Sequence, residues 1–120
     1  MKRFVISSLL VVFCNYFATA QTIKADEAAQ HIGDSTKVCG KIFGGRFFET
    51  SNSSPTLLNM GAAFPNHPLT IMIPLSVRKE MGYAPELQLK DKNVCVTGKI
   101  VLFKEKPEIV LYNTKQLKVE

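Results

Sequence analysis

The sequence predicts a small, mainly β domain organised around one long strand at residues 36–48. Side chains alternate from Val38 to Phe43 in the period-two pattern of a strand with one buried face. Gly44 and Gly45 then interrupt the pattern, and glycines inside a strand are typical of a bulge or sharp bend. A strand that bends midway can pair in two sheets in succession, as the first strand of a small closed barrel does.

The first twenty residues have the features of an export signal. A basic start, Lys2-Arg3, precedes an apolar run at residues 4–17 and the small-residue site Ala18-Thr-Ala20. The run is shorter than the roughly 20 residues that a membrane anchor needs, and the bulky residue before Cys14 is unlike a lipoprotein signal. We expect cleavage near Ala20, a single folded domain at residues 21–120, no membrane span after cleavage, and a secreted or periplasmic location.

Length and charge set bounds on the mature chain. Removal of residues 1–20 leaves 100 residues, enough for one domain with a modest core. The formal net charge falls from +5 to +3, because two basic residues leave with the leader. A mildly basic surface allows binding to polyanions without requiring it.

Two cysteines remain after cleavage, Cys39 and Cys95, and such a pair in an exported protein predicts a disulfide. A cross-strand bond is feasible if their strands are antiparallel neighbours. The alternative is two free thiols in a strand pair. No Cys-x-x-Cys spacing occurs and His67 lies far along the chain from both cysteines, so no metal site is expected.

The other segments follow in chain order. A short helix is predicted at residues 24–32, which are rich in helix formers and end at Gly33. The later predicted elements are strands at 56–60 and 69–73, a helix at 77–82 capped by Ser76, a polar connector at 85–92, a hairpin of strands at 93–103 and 108–112, and a short final strand at 116–119.

The predicted order is that of an OB-fold, a five-stranded Greek-key barrel. It has five main strands, a helix between the third and fourth of them, and a short N-terminal helix. A small β-sandwich and an SH3-like barrel are the alternatives, and the position of the helix disfavours both.

Several short motifs resemble those of small exported bacterial OB-fold domains, some of which are labelled nucleic-acid-binding. The matching segments span nearly all of residues 36–111: Val38-Cys-Gly-Lys-Ile, Pro55-Thr-Leu-Leu-Asn-Met-Gly, Phe64-Pro-Asn, Leu69-Thr-Ile-Met-Ile, Val94-Cys-Val-Thr-Gly-Lys-Ile and Lys106-Pro-Glu-Ile. The resemblance implies the OB-fold. It does not choose the ligand, because one fold hosts many functions.

Catalysis is not expected from the sequence motifs. Gly-x-Ser-x-Gly, His-Glu-x-x-His and P-loop patterns do not occur, and His31 and His67 fall at a helix end and in a turn. We therefore expect neither enzyme activity nor a cofactor.

Ligand binding is the function class that the sequence favours. OB-folds bind sugar or nucleotide chains on the face of strands two and three, between the loops after strands one and four. These places carry basic side chains interleaved with rings, the combination that holds single-stranded nucleic acid. The candidate ligand-binding residues are Lys41, Phe43, Arg46, Phe48, Asn59, Phe64, Lys104 and Lys106. The alternatives are that the rings fill the core and that the lysines serve solubility.

Three hypotheses follow. The first is an exported, non-catalytic module for single-stranded nucleic acid or another anionic polymer. The second is an envelope interaction domain that binds a peptide, glycan or small ligand in the same groove, which the export signal favours. The third is a domain that works through an unknown protein partner with its groove vacant.

Overall fold

Seven β-strands form the domain, and the computed structural model describes residues 21–120. The strands are β1 (Thr22–Lys24), β2 (Ser35–Phe47), β3 (Thr56–Met60), β4 (Leu69–Ile73), β5 (Asn93–Phe103), β6 (Lys106–Val110) and β7 (Leu117–Val119). Two short α-helices, α1 (Leu75–Met81) and α2 (Pro85–Gln88), lie between β4 and β5, and 3-10 helices span Ala25–His31 and Thr114–Gln116. The predicted signal sequence lies outside the described residues. Across residues 21–120, each helix is too short or too polar to cross a membrane.

The mainly β class and the helix after the third main strand agree with the prediction, but the strand count of five is wrong. The final strand at the C-terminal end was expected, whereas β1 was not. β1 is only three residues long and runs parallel to β2, with Ile23 beside Val38 and buried against the core. α2 occupies part of the segment predicted as a polar connector. It begins at Pro85, whose fixed φ suits the first turn of a helix.

β2 and β5 each belong to two sheets. In the first sheet the order is β1–β2–β5–β7, and β2 and β5 pair in antiparallel fashion from Ser35 opposite Lys99 to Lys41 opposite Asn93. In the second sheet the order is β2–β3–β4–β6–β5, with β4 and β6 parallel and the other pairs antiparallel. The pairings therefore form a closed circuit that leaves β2, passes through β3, β4, β6 and β5, and returns to β2.

β2 changes sheets just before the predicted bend at the paired glycines, since Lys41 is the last residue paired with β5 and Ile42 is the first paired with β3. Its pairing with β3 shifts register between Ile42, opposite Met60, and Gly45, opposite Leu58. Gly44 has a φ of +96°, a conformation that strains other L-residues. A Cβ atom on Gly45 would collide with the carbonyl oxygen of Leu57. The two glycines are thus required for different reasons, one for its backbone angle and one for close approach.

The core inside the circuit is aliphatic. Its largest fully buried side chains come from the strands of the circuit and the residue after β6: Val38, Ile42, Leu58, Met60, Leu69, Ile71, Ile73, Val94, Val96, Ile100, Ile109 and Leu111. The seven aromatic residues of the described chain all lie outside this core and keep at least part of their surface in solvent. The interpretation of the rings as core filling is therefore wrong.

The predicted disulfide is confirmed. Cys39 and Cys95 are directly opposite each other in the β2–β5 pair, with their Cα atoms 4.1 Å apart and their sulfurs bonded. Together with the Glu120 carboxylate they form a set of ligand-type atoms within 4.8 Å of one another. Since metals bind the thiolate form of cysteine, the bonded sulfurs do not make this set a metal site.

Arg78 of α1 joins three parts of the fold. Its guanidinium donates hydrogen bonds to the Glu86 carboxylate at 2.6 and 3.0 Å and to the Thr56 hydroxyl at 2.8 Å. The same group lies 3.7 Å from the ring centroid of Phe47. Burial pushes the pKa of Glu86 upward, but the hydrogen bonds from Arg78, a backbone hydrogen bond at Glu86 and the charge of Arg78 outweigh it and lower the pKa below its ordinary value. α1 and α2 are thereby fixed to β2 and β3.

Replacement of Arg78 by alanine should lower the free energy of unfolding by roughly 2–3 kcal/mol, because Glu86 and Thr56 would lose their partner. The Arg78 and Glu86 side chains are only 16% and 12% exposed, so water replaces the lost contacts poorly. Urea unfolding measures the change. Lys79→Ala is the matched control, since Lys79 is exposed on the same helix and should shift stability by less than about 0.5 kcal/mol. Equal unfolding midpoints for the two variants would contradict this role.

Candidate functional site

A groove of about 530 Å³ crosses the outer face of the second sheet. Alternation along β3 turns Leu58 into the core and Asn59 outward. Asn59 is paired in register with Thr70 of β4, and Thr70 with Glu108 of β6. These three polar side chains form the floor of the groove. The loop at residues 61–68 and the β5–β6 turn contribute residues to its rim.

Six of the eight predicted ligand-binding residues line this groove, namely Arg46, Phe48, Asn59, Phe64, Lys104 and Lys106. Lys41 and Phe43 do not. They lie on β2 before the Gly44–Gly45 bulge, where the Lys41 Nζ is 5.1 Å from the ring centroid of Phe43 and 4.0 Å from an Asp91 carboxylate oxygen. The bend that the sequence predicted directs the two halves of β2 to different places, and only the half that carries Arg46 reaches the groove.

The basic residues of the groove each stand beside an aromatic ring. Arg46 lies 4.8 Å from the ring centroid of Phe48, Lys104 lies 5.5 Å from that of Phe103, and Lys106 lies 5.9 Å from that of Phe64. Phe64 and Phe103 are 73% and 55% exposed. Exposed rings offer flat surfaces to a planar ligand, and the adjacent cations offer charge to an anionic group on the same ligand.

The rim residues are held in place by the backbone around them. Lys106 donates a hydrogen bond from Nζ to the Pro65 carbonyl oxygen at 2.9 Å, and the Phe64 ring stacks on His67 with centroids 5.8 Å apart. Lys104 and Glu105 form the two-residue β5–β6 turn, and both have positive φ, as a type I′ hairpin turn requires. The groove is therefore largely formed before a ligand arrives.

Two buried titratable groups line the groove and were not among the predicted site residues. His67 is 8% exposed, with Nε2 2.8 Å from the Thr70 hydroxyl oxygen and Nδ1 without a partner in the described chain. Burial, and secondly the charge of Lys106, lower the pKa of His67 below its ordinary value. Glu108 is 7% exposed, and burial raises its pKa with no hydrogen bond or neighbouring charge offsetting it within residues 21–120.

Sequence patterns contain little signal for these two residues. His67 lies in Asn-His-Pro, which indicates a turn, and its burial comes from packing against β4 and Phe64. Glu108 alternates with the inward-facing Ile109, so the period-two pattern of β6 places its side chain outward. This alternation could have identified Glu108 as a residue on the outer face of the sheet. It could not have shown that the side chain is nine-tenths buried there.

The stability of the wild-type protein relative to Glu108→Gln should fall as the pH rises above 4.5. The pKa of Glu108 is raised from 4.5 in the folded state, so between the two values the folded protein binds more protons than the unfolded chain. Stability therefore falls with pH in that window, and glutamine, which does not ionise, removes this dependence. Urea unfolding from about pH 4 to about pH 7 measures both proteins. Glu105→Gln, an exposed control, should follow the wild type, and a Glu108→Gln curve parallel to the wild-type curve would contradict the assignment.

Comparison with known proteins finds solved structures of similar fold. No protein-family model matches the sequence, and a comparison with curated proteins finds no match. Among solved structures, yeast Stn1 and Ten1 match with a TM-score of 0.58 and 12% identity, over 88% of this chain and 65% of that one. A protein of Leishmania major Friedlin assigned as an aspartyl-tRNA synthetase matches with a TM-score of 0.50 and 12% identity, over 90% of this chain and 22% of that one.

This chain thus spans less than two thirds of each of these matched chains. At such low identity the likeness concerns the fold alone. The circuit of strand pairings, the helices between β4 and β5, and these likenesses together define an OB-fold-like domain. The resemblance that the short motifs suggested is supported at the level of the fold, while export and bacterial origin remain predictions.

Proposed function

We propose that residues 21–120 form a non-catalytic module that binds single-stranded nucleic acid in the groove of the second sheet. The observation that carries the proposal is the set of three ring–cation pairs around one preformed groove. Bases of a single strand stack on rings while its phosphates meet cations, which is the arrangement that these pairs offer.

Magnitudes favour the rings as the main source of affinity. Stacking contributes roughly 1–3 kcal/mol for each base, so Phe64 and Phe103 together would outweigh the modest net charge. Because the aliphatic core does not need these rings, their exposure is better explained by a ligand than by folding. The cations Arg46, Lys104 and Lys106 would then set the salt dependence.

The fold comparison supports the ligand class. One of the matched structures is assigned as an aspartyl-tRNA synthetase, an enzyme whose name specifies an RNA substrate. The likeness bears on the fold and not on the groove residues, so the groove geometry carries the argument and the comparison only agrees with it.

The architecture, the location and the absence of cleavage are also proposed. The circuit of strand pairings would be a closed OB barrel of five strands, extended at its ends by β1 and β7. The leader at residues 1–20 would export the chain, a route consistent with the Cys39–Cys95 bond, since disulfides persist in oxidising compartments. The role would be to hold the strand without cleaving it, and an incubated oligonucleotide should keep its length on a denaturing gel.

A second candidate is an envelope interaction domain that binds a peptide, glycan or small ligand in the same groove. The observation that favours it is the unpaired Glu108 carboxylate on the floor, which would accept hydrogen bonds from an amine or from sugar hydroxyls. In this case an oligonucleotide should not compete with the ligand that envelope extract supplies.

Fluorescence anisotropy with a labelled mixed-sequence oligonucleotide tests the proposal at several salt concentrations. Binding should weaken with salt, with a slope of about −0.7 in log K for each phosphate contact. The Arg46→Gln, Lys104→Gln double variant should bind more weakly and lose about 1.4 units of that slope, about 0.7 for each cation. Lys41→Gln is the matched control, because Lys41 lies outside the groove, and it should bind as the wild type does. Absence of binding at low salt would reject the proposal.

A further inference from the structure

The floor of the groove contains a carboxylate that folding does not explain. Glu108 lies in the middle of β6, between Thr70 of β4 and Val101 of β5 in the sheet register. It is 7% exposed, yet no hydrogen bond or ion pair to it is formed within residues 21–120. Within residues 21–120 the fully buried side-chain atom that lacks a partner is His67 Nδ1, so the Glu108 oxygens reach the groove and are open to a ligand.

The lysines near Glu108 do not form an ion pair with it. Lys106 lies two residues before it on the same face of β6, but its Nζ donates to the Pro65 carbonyl oxygen and stands beside the Phe64 ring. Lys104 stands beside the Phe103 ring. The hydroxyl of Thr70, the neighbour of Glu108 on the floor, is in contact with His67 Nε2. The carboxylate is thus left to accept hydrogen bonds from whatever occupies the groove.

We infer that Glu108 makes the groove selective among bases, favouring cytosine over uracil and thymine, an inference that rests on the proposed binding of single strands. An ionised carboxylate, the form expected at neutral pH, only accepts hydrogen bonds. Cytosine presents a donor, the N4 amino group, where uracil and thymine present a carbonyl oxygen. A base stacked on the rim rings with its edge toward the floor would therefore pair with Glu108 if it is cytosine. Uracil in the same position would place its O4 carbonyl oxygen, a second acceptor, against the carboxylate, and its donor, N3–H, lies at the next position along that edge.

The comparison of cytosine with uracil isolates this edge. The two bases have nearly the same size and stack similarly on a ring, so the rim contributes almost equally to both. The phosphates are identical, so Arg46, Lys104 and Lys106 also contribute equally. A difference in affinity between the two oligomers would therefore measure the contribution of the groove floor and not that of the rings or the cations. The proposed function is tested by whether the protein binds single strands at all, so the two proposals can fail separately.

Anisotropy titrations with oligo-dC and oligo-dU of equal length, at neutral pH and one salt concentration, test the inference. Wild-type protein should bind oligo-dC about tenfold more tightly, the effect of one well-placed base contact. An oligomer of N4,N4-dimethylcytosine, which lacks the donor hydrogens, should lose this advantage without any change to the protein.

Variants of Glu108 complete the test. Glutamine can both donate and accept, so Glu108→Gln should bring the two affinities within about twofold of each other. Glu108→Asp, which keeps the carboxylate, should keep cytosine preferred and covers the case in which Glu108→Gln fails to fold. Lys104→Gln should weaken the binding of both oligomers by the same factor. Equal binding of oligo-dC and oligo-dU by the wild type would overturn the inference and leave the proposed function standing, whereas binding of neither would overturn both.

Discussion

Replacement of both Phe64 and Phe103 by alanine should weaken single-strand binding by roughly a hundredfold. Each ring is expected to stack one base, and each lost stack costs about tenfold, a value toward the lower end of the usual range. The fold should persist, because the rings are 73% and 55% exposed and the core contains neither. Anisotropy titration of the wild type, both single variants and the double variant measures the effect, with roughly tenfold expected for each single change.

Two other exposed rings provide matched controls for this prediction. Tyr112 is 79% exposed and Phe43 is 37% exposed, and neither lines the groove. Tyr112→Ala and Phe43→Ala should bind as the wild type does. Urea unfolding of every variant shows whether a lost affinity reflects lost structure. A double variant that binds normally, or a Tyr112→Ala variant that loses binding, would place the ligand on a different surface.

Reduction of the Cys39–Cys95 disulfide should lower the free energy of unfolding by about 4 kcal/mol. The two cysteines are 56 positions apart in sequence, and in the chain-entropy model a crosslink closing a loop of this size destabilises the unfolded chain by about that amount. Urea unfolding with and without a reductant measures the change. The expected loss is a large part of the stability of a domain this small.

The Cys39→Ser, Cys95→Ser double variant is the control for reduction. It should unfold at the midpoint of the reduced wild type, and adding reductant should not move it further. Where it is still folded, it should bind single strands as the wild type does, because the cysteines and the groove residues belong to separate sets. If reduction left the wild-type midpoint unchanged, the bond would not be contributing to stability.

Much of the fold followed from local sequence patterns. The long strands were predictable because apolar residues alternate along residues 36–48 and 93–103, and the bend because only glycine suits Gly44 and Gly45. β1 could not be predicted, since its three residues have no pattern of their own and are held by pairing with β2. The N-terminal helix was found, but as a 3-10 helix that buries Ala25 and Ala28 and leaves Ile32 38% exposed.

Local patterns also failed at the cap of α1. Ser76 was expected to cap a helix at residues 77–82, yet α1 begins at Leu75 with Pro74 in the capping position. The C-terminal end at Gly82 agrees with the prediction, because its φ of +75° is the left-handed conformation that favours glycine after a helix.

The residues of the candidate site that lie in or beside loops could be predicted from the sequence. Arg46, Phe48, Phe64, Lys104 and Lys106 lie in or beside the connections that an OB-like order brings together, and the groove contains all five. The burial of Glu108 and His67 was not predictable, because it depends on how the loop at residues 61–68 and the hairpin pack over the sheet. The sequence also could not show that aliphatic side chains fill the core and leave the rings outside.

β2 and β5 belong to both sheets, but the disulfide and the groove lie on different ones. β1 and β7 extend only the sheet that contains the disulfide, whereas the polar floor lies on the other sheet. A dye or a solid support coupled to β7, for example at the exposed Lys118, would therefore sit away from the recognition face. Immobilised in that orientation, the domain would present its groove to the solution, and surface-based kinetics would report on an unobstructed site.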